Sequence, residues 1–105
     1  MGRDMTTWLI TRHPGTYEWA ISQGMKFDRT MTHVLSEEIV DMINPDDKVY
    51  GNLPLYLVAA ICERGGRYFQ LDMRVSESKR GEEMSKQDIE QLKPKFNEYR
   101  VERCS

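Results

Sequence analysis

Hydrophobic and polar positions along this chain change period repeatedly, from the compact run Trp8-Leu9-Ile10 to helical spacing and back. The β-prone stretch Thr6 to Thr11 leads into Thr16 to Gln23, where Tyr17, Ala20 and Ile21 recur at helical spacing and Gly24 supplies a stop. Arg29 to Leu35 is again β-prone, through Thr30, Thr32 and Val34. Ser36 is placed to cap a short helix whose Ile39, Val40 and Ile43 share a face, and the turn Asn44-Pro45-Asp46-Asp47 ends it. Lys48 to Gly51 reads as a third strand. Pro54 suits the first turn of a helix over Leu55 to Arg64, which Gly65-Gly66 stops. That helix is apolar around much of its circumference, which predicts burial against the sheet or a second subunit. Tyr68 to Val75 alternates, with Phe69, Leu71, Met73 and Val75 on one face and Gln70, Asp72 and Arg74 on the other. Ser85 and Asp88 mark the start of a last helix, Pro94 breaks it, and Phe96, Tyr99 and Val101 pack back on the domain.

Strands alternating with helices predict an α/β fold: an open, mainly parallel sheet of about four strands with flanking helices on both faces. A chain of 105 residues makes one domain, 1–105. In such a sheet ligands bind at the carboxyl ends of the strands. Three loops converge on that edge: Thr11 to Gly15, Gly51 to Pro54, and Val75 to Arg80.

Charge narrows the partners. Hydrophobic residues make up 39% and charged residues 30%, and the net charge of −2 offers no global attraction for nucleic acid. A long duplex is therefore not an expected partner, and an anionic ligand must be held by local cations. No apolar run approaches the ~20 residues of a membrane span, and the N-terminus lacks the apolar core of a signal peptide. Cys62 and Cys104 have neither metal-knuckle nor redox-pair spacing, which fits reduced thiols and a cytoplasmic location without a membrane partner.

The first of the three loops holds the most chemistry. Arg12 carries a guanidinium able to grip phosphate oxygens as a fork, and His13 an imidazole able to move a proton near neutrality, both just before the glycine Gly15. The competing reading is a pair of solvated loop residues. In the second loop Gly51 permits close backbone approach and Asn52 offers an amide to a polar group, ahead of Leu53 and Pro54. A plain strand-to-helix turn capped by Asn52 is the alternative there. The third loop, Ser76 to Gly81, joins hydroxyls to Lys79 and Arg80 at a flexible point, a composition suited to covering a phosphate or to plain solvation. His33 and the tryptophans Trp8 and Trp19 read as packing residues, and no His, Cys, Asp and Glu set has metal spacing.

The run Trp8 to Gly15 with Glu18-Trp19, then Gly51-Asn52-Leu53-Pro54, Arg67 to Leu71, and Arg80-Gly81 followed by Glu83-Met84-Ser85 together resemble the small CRISPR-associated proteins numbered sixteen in the Csx series. The resemblance covers about Thr6 to Ser85 and lies in the order and spacing of these motifs. It implies a Rossmann-like domain similar to the CARF sensors, working as a homodimer. The implied activity is a ring nuclease that cleaves cyclic tetra-adenylate, without metal or other cofactor, and so ends type III CRISPR signalling. Arg12 and His13 would be catalytic; Thr11, Gly15, Gly51, Asn52, Leu53, Pro54, Ser76, Arg80 and Gly81 would bind the substrate. Two other readings stand beside it. One is a non-catalytic protein that sequesters or senses the cyclic nucleotide. The other takes Ile10-Thr11-Arg12-His13 as the start of a histidine phosphatase, although Pro14 separates His13 from Gly15 and that fold usually needs a longer chain and a second histidine.

Overall fold

A computed structural model describes residues 5–32, 38–73 and 86–104. The elements alternate as the sequence pattern requires: β1 (Thr7–Ile10), α1 (Pro14–Ser22), β2 (Arg29–Met31), α2 (Glu38–Asp41), β3 (Lys48–Gly51), α3 (Leu55–Glu63), β4 (Arg67–Asp72), α4 (Lys86–Gln91) and β5 (Lys95–Tyr99). One sheet contains all five strands, in the order β2-β1-β3-β4-β5. β1 to β4 pair in parallel, and β5 joins β4 antiparallel. This is a small α/β domain with a mostly parallel sheet and flanking helices, a Rossmann-like arrangement. The fifth strand corrects the expected count of about four. Leu71 pairs with Phe96 and Tyr68 with Tyr99, so the tail that was expected only to pack back extends the sheet instead.

β1 buries both of its faces, while β3 buries Val49 and Gly51 on one face and half-buries Lys48 and Tyr50 on the other. Trp8, Ile10, Val49 and Tyr68 share one face and pack with Ile39, Val40 and Ile43 and with Leu57, Val58 and Ile61 of α3. The opposite face is aromatic. Tyr50 stacks on Phe69 at 4.5 Å, meets Phe96 edge-on at 5.0 Å and Phe27 at 5.7 Å, and Trp19 of α1 lies 5.9 Å from Phe96. α1 and α4 pack together.

The amino edge of the sheet is held by a buried carboxylate. Asp47 accepts from the Thr6 N–H (2.9 Å), the Asn44 N–H (2.9 Å) and the Trp8 indole (3.3 Å), three donors that offset the cost of burying it.

Two details differ from the expectation. α1 begins at Pro14 rather than Thr16, because proline at the first helical position forfeits an N–H that had no partner anyway. With the helix set this way, Thr16 and Ala20 point inward, while Tyr17 (44% exposed) and Ile21 (42%) face outward. At its other end Gly24 adopts φ 86°, with Gly24 N–H on Ile21 O and Met25 N–H on Ala20 O, the paired bonds that close a helix through a left-handed residue. No helix among the described residues is long and apolar enough to cross a membrane.

Candidate functional site

Strand order reverses between β1 and β3. The connection after β1 runs to one side of the sheet and the connection after β3 to the other, and ligands of open α/β sheets bind at the strand ends where the order reverses in this way. Ile10 and Gly51 are register partners, so the loop carrying Thr11, Arg12 and His13 and the loop carrying Asn52, Leu53 and Pro54 leave the sheet side by side. The structure thus brings together two of the three expected loops. The third, with Ser76, Arg80 and Gly81, lies outside the described residues, as do His33, Ser36 and Ser85.

The first loop is tied down by Thr11. Its N–H donates to Met31 O at the end of β2 (2.9 Å), and its hydroxyl oxygen accepts from the His13 N–H (3.1 Å). This local turn fixes the chain direction just before α1. His13 is the N-cap, extended at φ −100° and ψ 109°, half-buried, and its carbonyl accepts from Thr16 N–H (3.0 Å). Pro14 has no N–H, so Gly15 supplies the first-turn donor that no described backbone carbonyl takes. Arg12 is exposed and makes no hydrogen bond or ion pair with any described residue. Arg12 thus immediately precedes His13 and the first turn of α1, a position favourable to an anion.

The second loop owes its course to Gly51 and Tyr68. A Cβ on Gly51 would lie 2.1 Å from the Ile10 carbonyl oxygen, so the two strand ends approach this closely only because residue 51 has no side chain. Tyr68, buried on β4, reaches across to the loop: its hydroxyl accepts from Leu53 N–H (2.9 Å) and lies within donating distance of Gly51 O (3.1 Å) and the Gln70 side-chain oxygen (2.5 Å). Burial pushes the Tyr68 phenol up to about 12, and the negative charge of Asp72 adds to the rise, while the Leu53 N–H works against it. Pro54, not Asn52, is the N-cap of α3, and it caps through its carbonyl, which accepts from Leu57 and Val58. Asn52 is exposed and does not cap the helix, which removes the turn-cap reading of its side chain.

Beside the first loop opens a cleft of about 280 Å³ between α1 and the ends of β1 and β2, with Thr11, His13, Pro14, Tyr17 and Glu18 on one side and Thr30 to Thr32 on the other. Sequence reasoning missed Tyr68, Tyr17 and Glu18 as site residues. Tyr17 and Glu18 follow His13 by about one helical turn, so the spacing from the helix start was a usable signal. For Tyr68 the signal was weaker, a single hydroxyl within an alternating strand. Among the described residues no group of three His, Cys, Asp or Glu is placed to hold a metal ion.

With this geometry in view, comparison with known families decides one point. The model of the family Cas_VVA1548, described as "Putative CRISPR-associated protein", matches residues 8–102. The chain belongs to that family. Its match begins at Trp8 in β1 and runs past β5, so both site loops and all of the sheet but Thr7 of this CRISPR-associated domain fall within it. Neither the curated proteins nor the solved structures gave a significant match.

Proposed function

We propose that this CRISPR-associated protein is a ring nuclease that cleaves cyclic tetra-adenylate into linear di-adenylate with 2′,3′-cyclic phosphate ends, without a metal ion, and so ends type III CRISPR signalling. The observation that carries this reading is the exposed Arg12 beside His13 on the loop after β1, at the point where the strand order reverses. In the reaction a ribose 2′-oxygen attacks its adjacent phosphorus and forms the new P–O bond. The P–O5′ bond breaks, the 2′-hydroxyl gives up its proton and the departing 5′-oxygen gains one. Arg12 stabilises the charge that builds on the phosphoryl oxygens, and His13 exchanges a proton with the nucleophile or the leaving group. Asn52 and the Gly15 N–H contribute hydrogen bonds, and Arg80 a second phosphate contact. Holding the 2′-oxygen in line with the breaking bond supplies part of the rate through orientation alone.

The test is direct. The purified protein is incubated with cyclic tri-, tetra- and hexa-adenylate, with and without excess chelator, and the products are separated by chromatography. Cyclic tetra-adenylate is expected to be consumed equally with and without chelator, leaving 2′,3′-cyclic phosphate ends. Tight binding with no product over hours assigns a sequestering role instead, and activity that returns only with a divalent metal overturns the mechanism.

A further inference from the structure

The cleft between α1 and the ends of β1 and β2 has a lining that phosphodiester cleavage alone does not use. Its volume of about 280 Å³ lies just under the ~300–1,000 Å³ of pockets that enclose drug-sized ligands. One planar base fits such a space, and a dinucleotide does not. Leu9, Met31 and Pro14 supply apolar wall, and Tyr17 stands at the cleft with 44% of its surface exposed, its ring not committed to the core. Aromatic faces of this kind stack on bases irrespective of sequence. Glu18 is exposed and makes no hydrogen bond or ion pair with any described residue. A carboxylate can only accept, so it selects a ligand edge that carries an N–H donor. Glu18 is the carboxylate in a lining whose other polar side chains are threonine hydroxyls, the His13 imidazole and the Tyr17 phenol.

We propose that this cleft is a base subsite. It takes the adenine next to the phosphate being cut, with the Tyr17 ring against the base plane and the Glu18 carboxylate accepting from the 6-amino group. The assignment rests on the ring-nuclease reading of the neighbouring loop. A base and its phosphate are joined through one ribose, so their sites must adjoin, and Thr11 and His13 belong to both the cleft and the loop.

Two rings separate this proposal from the reading beneath it: cyclic tetra-adenylate and the corresponding ring of purine riboside, which lacks the 6-amino group. Turnover and calorimetric binding are measured for the unaltered protein and for Glu18→Ala. The unaltered protein is expected to lose about tenfold or more in kcat/KM on the ring without the amine, the effect of one charge-assisted hydrogen bond. Glu18→Ala should bring the two rings to within about threefold, because it removes the oxygen that accepts from the amine. Tyr17→Phe should keep affinity, and Tyr17→Ser should weaken it about tenfold through lost stacking. If cyclic tetra-adenylate is cut but the amine makes no difference, or Glu18→Ala retains the full preference, the base subsite is wrong and the nuclease stands. If neither ring is cut, the nuclease reading fails; amine-dependent binding that Glu18→Ala abolishes would still uphold the subsite, and binding indifferent to the amine, or none, would overturn it.

Discussion

Arg12 and Gly51 sit on neighbouring loops and carry opposite kinds of information. Arg12 is exposed and makes no hydrogen bond or ion pair with a described residue, so Arg12→Ala should leave the unfolding midpoint unchanged. If its guanidinium stabilises charge that develops in the transition state, the same variant should lower single-turnover cleavage of cyclic tetra-adenylate by on the order of 10²–10³ while binding changes only a few-fold. Equal losses in the two would make Arg12 a binding residue. His13→Ala should in turn flatten the pH–rate profile near neutrality, and a profile that keeps its shape would exclude His13 as the titrating group. Gly51 carries structure. An added Cβ would meet the Ile10 carbonyl at 2.1 Å, and backbone cannot swing aside as a side chain tip can. Gly51→Ala is therefore expected to cost about 3 kcal/mol in urea unfolding, at the upper end of ordinary substitutions. A loss below about 1 kcal/mol would mean that β1 and β3 part at their ends without strain. The sequence pointed to Gly51 as a place of close approach, but to a ligand; that its near neighbour is the adjacent strand was not legible, since it depends on register.

At the scale of elements, the β3–α3 loop depends on β4 through one hydroxyl. Tyr68→Phe would leave the Leu53 N–H without its acceptor, a cost of about 1–2 kcal/mol. The same hydroxyl makes stability pH-dependent in a definite direction. Its folded pKa, about 12, lies above the ordinary value of 10.0, so the folded state holds the proton more tightly. That contribution is complete below pH 10 and is lost as pH rises toward 12, with a slope no steeper than about 1.4 kcal/mol per pH unit. Tyr50 and Tyr99 are also raised, by burial and by a hydrogen bond to Asp72 respectively, so Tyr68→Phe should reduce the alkaline loss without abolishing it. Urea titrations at pH 9 and pH 11 would settle this, and an identical alkaline loss in the variant would remove Tyr68 from the account. Elements of strong period were legible in the sequence: β3 and α3 fall within a residue of their expected bounds, and Ile39, Val40 and Ile43 are all buried. β5 was not. Lys95-Phe96-Asn97-Glu98-Tyr99 follows a helix-breaking proline and has too few apolar residues to declare a period. What makes it a strand is the tertiary setting of Phe96, whose ring meets both Tyr50 and Trp19. Phe96→Ala should cost about 2 kcal/mol and speed amide exchange selectively in β5, whereas uniform loss of protection would show that β5 is not a separable edge.

In the molecule as a whole, the meeting of the β1 and β3 loops at one edge was legible because alternating strands and helices force a parallel sheet, and a parallel sheet collects its loops at one edge. The cleft beside it was not, because α1 and the short β2 form it together and no local pattern fixes how those two elements meet. One consequence of this placement reaches beyond a single chain. A cyclic tetranucleotide contains a twofold axis, and each protomer offers one Arg12–His13 loop and one base-sized cleft. Two protomers about a shared twofold would present identical loops to opposite phosphates, and two equivalent cuts would release two di-adenylates. A lone protomer would make its two cuts in sequence and release a linear tetra-adenylate between them. Calorimetric titration of Arg12→Ala, used so that the ring survives, should then end at one ring per two chains. Sedimentation of the same mixture should show doubled mass. In quenched-flow samples of the unaltered protein, linear tetra-adenylate should stay scarce relative to di-adenylate at early times. A one-to-one endpoint at monomer mass, with the linear tetranucleotide accumulating first, would sink the dimeric arrangement while leaving the chemistry at Arg12 and His13 intact.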